Sequence, residues 1–379
     1  MKFASRLKRV NESVTFRYSA LAKGEGVINL THGVTNFNTP KRIVDATKRA
    51  IDEGKTIYTE TRGIPELRKK IAEKLYRENG IEGLDIDNIL VSTGAKQIIF
   101  EAVMALINKG DEVAIPDPSW VSYESIINIA QGKVVWLKTK PENGFIPDDN
   151  FLSELENSNP KLILINSPNN PTGVVYPKRI IKKIVDIAER RDSWILSDEI
   201  YEKIIYEGEH FSPGSIYDKT ITVNGFSKEF SMTGWRLGYG ASPIKKIIDK
   251  MNIIQSQSVS CAVSFIQYGA LEAFSNDVKD DVKRMVNELK IRRDLLVDGL
   301  KNIGLINYKN YKPNGAFYVF PKLSDGNDIE IADNLLRNGI GIIPGSPFGS
   351  SGRGCVRMSY GSISKEKIGE VLKRLKKVS

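Results

Sequence analysis

The chain has 379 residues, of which 41% are hydrophobic and 27% are charged, and its formal net charge is +9. These values are typical of a soluble globular protein, and the length predicts a large core with a second, smaller domain. No apolar run approaches the roughly 18 residues of a membrane helix, so no membrane partner is expected. The basic residues alternate with acids along helix-like stretches, which indicates solvated helix faces rather than a nucleic-acid surface.

Two further features exclude some classes of protein. The chain contains only two histidines, His32 and His210, so neither a histidine-based metal site nor a histidine-dependent triad is expected. The first ten residues are basic, but the polar segment after them lacks the apolar stretch of a signal peptide. The sequence therefore predicts a cytoplasmic protein without a bound metal.

The middle of the chain alternates strand-like and helix-like segments. Strands are predicted at 88–93, 111–116, 133–139, 161–166, 193–198 and 219–225, and amphipathic helices at 96–110 and 179–191. Such alternation is typical of βαβ units. We therefore predict an α/β fold with a mostly parallel sheet sandwiched by helices.

The last third of the chain has a different pattern. A long helical zone covers about 243–303, and strand-like segments at 315–323 and 354–361 then alternate with helices at 329–339 and 365–377. This pattern predicts a smaller α+β domain. We expect a large domain at 45–285 and a small domain formed by 1–44 together with 286–379.

Polar residues cluster just after the predicted strands of the large domain. In an open α/β sheet, ligands bind in the crevice at the carboxyl ends of the strands. Several separate segments therefore direct polar groups at one volume. The segments carry Gly94, Ala95 and Lys96, then Trp120, Asn170, Asp198 with Tyr201, and finally Ser227 with Lys228.

The neighbouring residues suggest that Lys228 is a reactive amine and that Arg236 binds an anion. Lys228 lies among Gly, Ser, Phe, Met and Trp residues, which would partly desolvate it and favour the neutral amine that attacks carbonyl groups. Arg236 lies between Trp235 and Leu237 and needs an anionic partner if it is buried. A phosphate would satisfy the guanidinium with bidentate geometry.

The segment SKEFSMTGWRLGY (227–239) resembles the Schiff-base signature of class I/II aminotransferases. Further segments resemble other signatures of this family in the same order, and the similarity runs from about residue 28 to the C-terminus. The resemblance implies the type I fold of pyridoxal-5′-phosphate (PLP) enzymes and PLP as the cofactor. The further segments are YTETRGIPELR (58–68), NSPNNPTG (166–173), SDEIY (197–201), NGAFYVF (314–320) and GSPFGSSGRGCVRMSYG (345–361).

The resemblance also implies roles around the cofactor ring. Lys228 matches the catalytic lysine, which forms the internal aldimine and later moves a proton between the substrate Cα and the cofactor C4′. Asp198 matches the carboxylate that keeps the pyridine nitrogen protonated, so that the ring accepts electrons from the substrate. Tyr201 and Asn170 match contacts to the O3′ oxygen, and Trp120 matches the aromatic residue that stacks on the ring.

The residue types alone leave alternatives open at three of these positions. Asp198 could cap a helix after its strand, and Asn170 could serve only the turn in which it lies. Trp120 could be an ordinary core residue.

The phosphate group is expected at the N-terminus of the helix that begins near Gly94. The backbone N–H groups of Ala95 and Lys96 point there, and the helix dipole favours an anion. By resemblance, Arg236 supplies positive charge and Ser227 adds a hydroxyl.

Tyr58 matches a tyrosine that reaches the phosphate from the neighbouring subunit. This match implies a homodimer with shared active sites.

On the substrate side, Arg357 matches the arginine that binds the α-carboxylate in a fork, Gly33 approaches the same carboxylate, and Asn170 is also expected to contact the substrate. The segment GVTNF (33–37) departs from the family, in which a GEPDF-like string is common. This departure prevents a transfer of substrate preference. His32, just before it, either touches the substrate or serves as a structural hydrogen-bonder.

The resemblance therefore implies a transaminase of amino acid metabolism and biosynthesis. We expect it to exchange the amino group of an L-amino acid with a 2-oxo acid such as 2-oxoglutarate. Aspartate or an aromatic amino acid is the expected donor. The expected cycle is ping-pong, through the Lys228 aldimine and pyridoxamine phosphate.

The alternative is a PLP-dependent carbon–sulfur β-lyase that acts on cystathionine-like substrates, because elimination uses the same residues. Regulators with this fold carry a DNA-binding domain before it, and similarity from residue 28 argues against one.

Overall fold

The structure is a computed structural model that describes residues 3–306, 311–323 and 326–378. The helices are α1 (Val14–Leu21), α2 (Lys41–Asp52), α3 (Pro65–Asn79), α4 (Ala95–Leu106), α5 (Ser122–Ile129), α6 (Asp149–Glu156), α7 (Lys178–Arg191), α8 (Lys245–Ser258), α9 (Ser264–Ala270), α10 (Asn276–Asn302), α11 (Asp328–Arg337) and α12 (Lys365–Val378). The strands are β1 (Ile28–Asn29), β2 (Ile89–Ser92), β3 (Glu112–Asp117), β4 (Lys133–Lys138), β5 (Leu162–Asn166), β6 (Trp194–Asp198), β7 (Thr220–Gly225), β8 (Gly238–Ala241), β9 (Tyr318–Val319), β10 (Ile340–Gly341), β11 (Ile343–Pro344) and β12 (Val356–Ser359).

A seven-stranded sheet in the order β2-β8-β7-β6-β5-β3-β4 forms the centre of the fold. The pairs among β4, β3, β5, β6 and β7 are parallel, whereas β8 runs antiparallel to both of its neighbours. All six predicted strands of this sheet are confirmed, each with ends within one residue of those expected. The α/β architecture with a mostly parallel sheet is therefore as predicted.

Helices cover both faces of this sheet. Along β5, Leu162 and Leu164 belong to one apolar cluster, which also contains Ile98 of α4 and Ile248 of α8. Ile163 on the same strand faces the opposite cluster, which includes residues of α6 and α7. Every residue of β5 is buried, because a parallel strand of this kind is shielded from water on each side.

The strand β8 was not predicted from the sequence, and its glycines explain why. A Cβ atom at Gly238 would lie 2.4 Å from the Ala95 backbone nitrogen, and one at Gly240 would lie 2.6 Å from Ile98 Cγ2. Helix α4 packs so closely on β8 that these positions exclude side chains. The strand consequently lacks the β-branched pattern by which strands are recognised.

The C-terminal part contains a three-stranded antiparallel sheet in the order β11-β12-β9, together with α11 and α12. Parallel pairing of β1 with β10, in which Ile28 lies opposite Ile340, attaches the N-terminal segment to this part. The predicted boundary at residue 285 falls inside the continuous helix α10, and the division into two domains remains a prediction. Within the described ranges, no helix is both long and apolar enough to cross a bilayer.

Candidate active site

A cavity of about 450 Å³ lies where the strands β2, β3, β5, β6 and β7 end. The parallel strands direct the residues after their carboxyl ends to one edge of the sheet, which is why separate segments meet here. Most of the predicted site residues line this cavity. They are Gly33, Ala95, Lys96, Trp120, Asn170, Asp198, Tyr201, Ser227, Lys228, Arg236 and Arg357.

Lys228 follows β7 and directs its amine into the cavity. Its Nζ atom donates a hydrogen bond of 2.5 Å to the Gly33 carbonyl oxygen. Burial, and then the positive charges of Arg357 and Arg236, lower the pKa of Lys228 from 10.5 to about 8, although Asp198 acts in the opposite direction. The lowered pKa increases the neutral fraction of the amine near physiological pH, and the neutral form is the nucleophile.

Asp198 ends β6 and presents its carboxylate to the same cavity. The Tyr123 hydroxyl donates a hydrogen bond of 2.6 Å to Oδ2, and the Ile200 backbone N–H donates one of 3.2 Å to Oδ1. Burial raises the pKa of Asp198 to about 6, while these hydrogen bonds and the charge of Lys228 oppose the rise. Since charged forms are costly when buried, this carboxylate gains from a cationic partner.

Trp120 forms a wall of the cavity. Its ring meets the Tyr123 ring edge-on, with centroids 5.3 Å apart and planes at 88°. The Lys96 ammonium lies 5.0 Å from the centroid of the Trp120 ring. The indole is therefore held at the cavity surface between a phenol and a cation.

The turn before α4 brings a guanidinium against the start of that helix. Arg236 donates hydrogen bonds to the Thr233 carbonyl at 3.0 Å and to the Thr93 carbonyl at 3.3 Å. A Cβ atom at Gly94, whose φ is +100°, would lie 2.7 Å from Arg236 Nη2. Glycine at this position thus lets the cation approach the free N–H groups of the helix, which together form an anion site.

Arg357, on β12, enters the cavity from the smaller sheet. Its side chain is almost completely buried, and it donates hydrogen bonds to the Thr31 carbonyl at 2.7 Å and to Asn170 Oδ1 at 3.1 Å. The guanidinium also lies 4.7 Å from the centroid of the Tyr318 ring. Among the residues that the structure describes, the Nε–H group has no acceptor, so a donor remains for a ligand.

Several cavity residues were not predicted from the sequence. Tyr318 bonds through its hydroxyl to that of Tyr201 at 2.7 Å, and Tyr123 supports Asp198. The Asn166 amide donates to the Asp198 carbonyl, while its oxygen accepts from the Asn170 N–H at 2.8 Å. Two features of the sequence could have identified them: Tyr318 lies within the motif NGAFYVF, and Tyr123 lies close to Trp120 in the chain. Thr15, Phe16, Ile99, Ile200 and Thr233 complete the lining.

Two residues singled out from the sequence lie elsewhere. Tyr58 is 87% exposed and does not line the cavity of its own chain. His32 is partly buried outside the cavity, where its Nε2 atom lies 3.1 Å from the Asn29 amide nitrogen. This contact favours the structural alternative for His32.

A second cluster of ionisable groups lies next to Asp198. One ligand-type atom each from Glu199, Glu202 and His210 lies within 4.8 Å of the others, as in a metal site. However, Lys74 forms an ion pair with Glu202, and the Asn79 amide donates to both carboxylates. The Lys74 ammonium therefore already balances the charge of one of the two carboxylates.

The charges around the cavity fit a phosphorylated aldehyde. Among the described lining residues, four are basic, and Asp198 is the one acid. The two arginines lie at separate places: Arg236 is at the start of α4, and Arg357 is on the smaller sheet. An anionic group beside each of these arginines and a protonated ring nitrogen beside Asp198 would give all three side chains a partner of opposite charge.

Comparison with known proteins agrees with this chemistry. The family model "Aminotransferase class I and II" matches residues 25–375. A protein of Methanocaldococcus jannaschii named "Probable aspartate aminotransferase" is 43% identical, over 94% of each chain. "Aromatic-amino-acid aminotransferase 2" of Thermococcus litoralis is 38% identical, over 100% of this chain and 98% of the relative.

A solved structure, the aspartate aminotransferase from Thermus thermophilus with maleate, covers 100% of each chain with a TM-score of 0.94 and 38% identity. This similarity confirms the predicted type I fold of PLP enzymes. The motifs, the cavity at the strand ends and these similarities agree, and the chain belongs to the class I and II aminotransferase family.

Proposed function

We propose that the protein is a PLP-dependent aminotransferase that transfers the amino group of an L-amino acid to a 2-oxo acid such as 2-oxoglutarate. The observation that carries the proposal is the shared cavity of Lys228 and Asp198, flanked by Arg236 on one side and Arg357 on the other. When bound, PLP supplies an aldehyde that condenses with amines and a ring that accepts electrons from the substrate Cα.

The residues around the ring position supply orientation and charge. Asp198 would hold a proton on the ring nitrogen, and the hydrogen bond from Tyr123 would orient its carboxylate for that role. Tyr201 and Asn170 donate to the ring oxygen, while Trp120 covers one face of the ring. Each group acts in a buried site, where electrostatic interactions are stronger than in water.

Anion recognition holds the two ends of the reacting complex. Arg236, the Ser227 hydroxyl and the N–H groups of Ala95 and Lys96 bind the phosphate at the turn that contains Gly94. Arg357 binds the substrate α-carboxylate in a fork, beside the Gly33 backbone and the Asn170 amide, which sets the Cα–H bond perpendicular to the ring. With the cofactor bound, the Lys228 amine would be the group that moves a proton between the substrate Cα and the cofactor C4′.

Aspartate is the proposed amino donor, with aromatic amino acids next. In the described part of the chain, no carboxylate lies within ion-pair distance of Lys96, whose ammonium borders the cavity. A second carboxylate on the substrate would supply that partner. The Thermus thermophilus relative was solved with maleate, which is a dicarboxylate, and other relatives are named for aspartate or aromatic amino acids.

We further propose a cytoplasmic homodimer with a role in amino acid biosynthesis, in which Tyr58 reaches the cavity of the second copy. Ile57 and Tyr58 are 78% and 87% exposed. Two large exposed side chains that are adjacent in the chain suit a contact with another protein surface.

A substrate panel tests the proposed activity. The protein, saturated with PLP, is assayed with the twenty amino acids against 2-oxoglutarate, oxaloacetate and pyruvate. We expect transfer from aspartate at the highest rate, and no turnover or lysine-linked cofactor absorbance in Lys228→Ala. Formation of pyruvate and ammonia from cystathionine, without transfer from any amino acid, would instead support the β-lyase.

A further inference from the structure

We infer that Gln255 and Gln267 are positioning residues that hold the segment 58–64 in the shape by which Tyr58 serves the cavity of a second copy of the chain. The inference rests on the proposed function, in particular on the role of Tyr58 at the phosphate. It adds two residues outside the lining of the cavity that act on the cofactor through the segment.

The exposed tip of the segment is attached to an ordered base. Tyr58 and Ile57 project into solvent, whereas Ile64 is buried and leads into α3. The Val91 backbone N–H, on the edge strand β2, donates a hydrogen bond of 2.9 Å to the Arg62 carbonyl. The segment therefore runs along the edge of the central sheet before it enters α3.

Gln267, on α9, is fully buried and contacts the segment at two points. Its Oε1 atom accepts a hydrogen bond of 2.8 Å from the Ile64 N–H. Its Nε2 atom donates to Thr59 Oγ1 at 3.1 Å and to the Ala262 carbonyl at 2.9 Å. One side chain thus fixes both ends of the stretch between Thr59 and Ile64.

Gln255, on α8, is also fully buried and holds the middle of the segment. Its Nε2 atom donates to the Thr61 carbonyl at 2.5 Å and to the Val91 carbonyl at 2.9 Å. This amide therefore joins the segment to β2. A buried amide N–H group without an acceptor is costly, so these two hydrogen bonds from Nε2 persist in the folded protein.

Gly63 packs against Val91 and Gln267 without room for a side chain. A Cβ atom at Gly63, where φ is +97°, would lie 2.6 Å from Val91 Cβ and 2.9 Å from Gln267 Oε1. On the outer side, Arg68 donates a hydrogen bond of 3.0 Å to the Gly63 carbonyl. The backbone is thus held from both sides within a few residues of Tyr58.

This arrangement orders the segment during folding rather than on ligand binding. A tyrosine on a loose loop would lose conformational freedom each time it bound a phosphate, which weakens binding. With Thr59 and Thr61 already fixed, Tyr58 loses only the freedom of its own side chain. The glutamines therefore increase cofactor affinity through Tyr58, without contact with the cofactor.

A double-mutant cycle on the holoenzyme tests this inference. The dissociation constant of PLP is measured by absorbance after serial dilution for the unchanged protein, Tyr58→Phe, Gln267→Leu and the double variant. We expect each single change to weaken binding roughly tenfold, as for the loss of one charge-assisted hydrogen bond. The double variant should bind PLP no more weakly than Tyr58→Phe alone, because both changes remove the same interaction.

Two further variants sharpen the result. Gln131→Leu makes the same substitution at an exposed glutamine and should leave the dissociation constant unchanged. Thr59→Val removes the partner of Gln267 Nε2 on the segment, together with the exposed hydrogen bond from Thr59 Oγ1 to the Glu60 carbonyl. This variant replaces Gln267→Leu in the cycle if Gln267→Leu does not fold. It should weaken PLP binding in the same non-additive manner.

The outcomes separate the inference from the proposed function. If the effects of Gln267→Leu and Tyr58→Phe multiply in the double variant, Gln267 does not act through Tyr58, and the inference is overturned while the activity stands. An unchanged constant in Tyr58→Phe removes the role of Tyr58 and the inference with it. Failure of the unchanged protein to bind PLP would instead reject the proposed function itself.

Discussion

Tyr123 and Asp198, which are 75 residues apart in sequence, share a buried hydrogen bond of 2.6 Å between the phenol and Oδ2. Tyr123 lies on α5 and Asp198 ends β6, so the bond joins a covering helix to the central sheet. It also directs the carboxylate into the cavity. The pair therefore links the packing of the sheet to the chemistry of the site.

Substitution of Tyr123 by Phe should lower kcat/KM by about 10- to 100-fold, because a hydrogen bond to a charged group contributes about 1.5–3 kcal/mol. Steady-state kinetics with aspartate would measure the loss. Tyr76→Phe, at an exposed tyrosine, is the matched control and should keep full activity. Equal kinetics for both variants would show that Asp198 needs no support from Tyr123.

The lowered pKa of Lys228 predicts a specific pH dependence. Only the neutral amine attacks an aldehyde, so the rate at which added PLP becomes covalently attached to the protein should rise with pH and level off above about 8. A lysine at its ordinary pKa of 10.5 would show a continuing rise through this range. Attachment would be measured by borohydride reduction and mass spectrometry.

The same measurement on Arg357→Ala tests the cause of the shift. The positive charge of Arg357 contributes to the lowered pKa of Lys228, so its removal should move the midpoint to higher pH. A midpoint that stays near 8 would leave burial and the charge of Arg236 as the causes of the lowered pKa.

Arg357→Ala should also weaken substrate binding while PLP remains bound. Loss of a bidentate, charge-assisted contact of roughly 3 kcal/mol corresponds to about a 100-fold lower kcat/KM. The control is Arg353→Ala, at an exposed arginine four residues earlier. Loss of the cofactor absorbance in Arg357→Ala would place this arginine at the cofactor rather than at the substrate.

Gly238→Ala should destabilise the protein strongly, because its new methyl group would lie 2.4 Å from the Ala95 backbone nitrogen, and backbone atoms cannot move aside. We expect a lower melting temperature together with weaker PLP binding, since the start of α4 would shift. Gly369→Ala, on the exposed side of α12, meets no atom within 4 Å and should stabilise the helix by about 0.5–1 kcal/mol. Differential scanning calorimetry would compare the two.

The parts of the fold that the sequence predicted are those in which local pattern and burial agree. Strands such as β5 are shielded on both faces and therefore consist of continuous apolar residues, which are easily recognised. In β8, by contrast, the close approach of α4 requires Gly238 and Gly240, and this requirement comes from tertiary packing alone. No local signal identifies such a strand.

The same distinction applies to the site. Lys228 and Asp198 follow strands within distinctive motifs, so their convergence was predictable. Tyr123 and Gln267 act through partners more than 70 residues away, and no spacing in the sequence reports such contacts. For Lys96 the backbone was predicted to matter, whereas the structure also directs its side chain to the cavity.

The residues that line the cavity extend from Thr15 to Arg357, and the pairing of β1 with β10 brings both ends of this range together. Because translation proceeds from the N-terminus, the central sheet emerges from the ribosome well before the strand that carries Arg357. A nascent chain therefore has Lys228 and the turn at Gly94 before it has Arg357, the proposed carboxylate-binding group. Complete maturation of this enzyme must follow release of its C-terminal region from the exit tunnel.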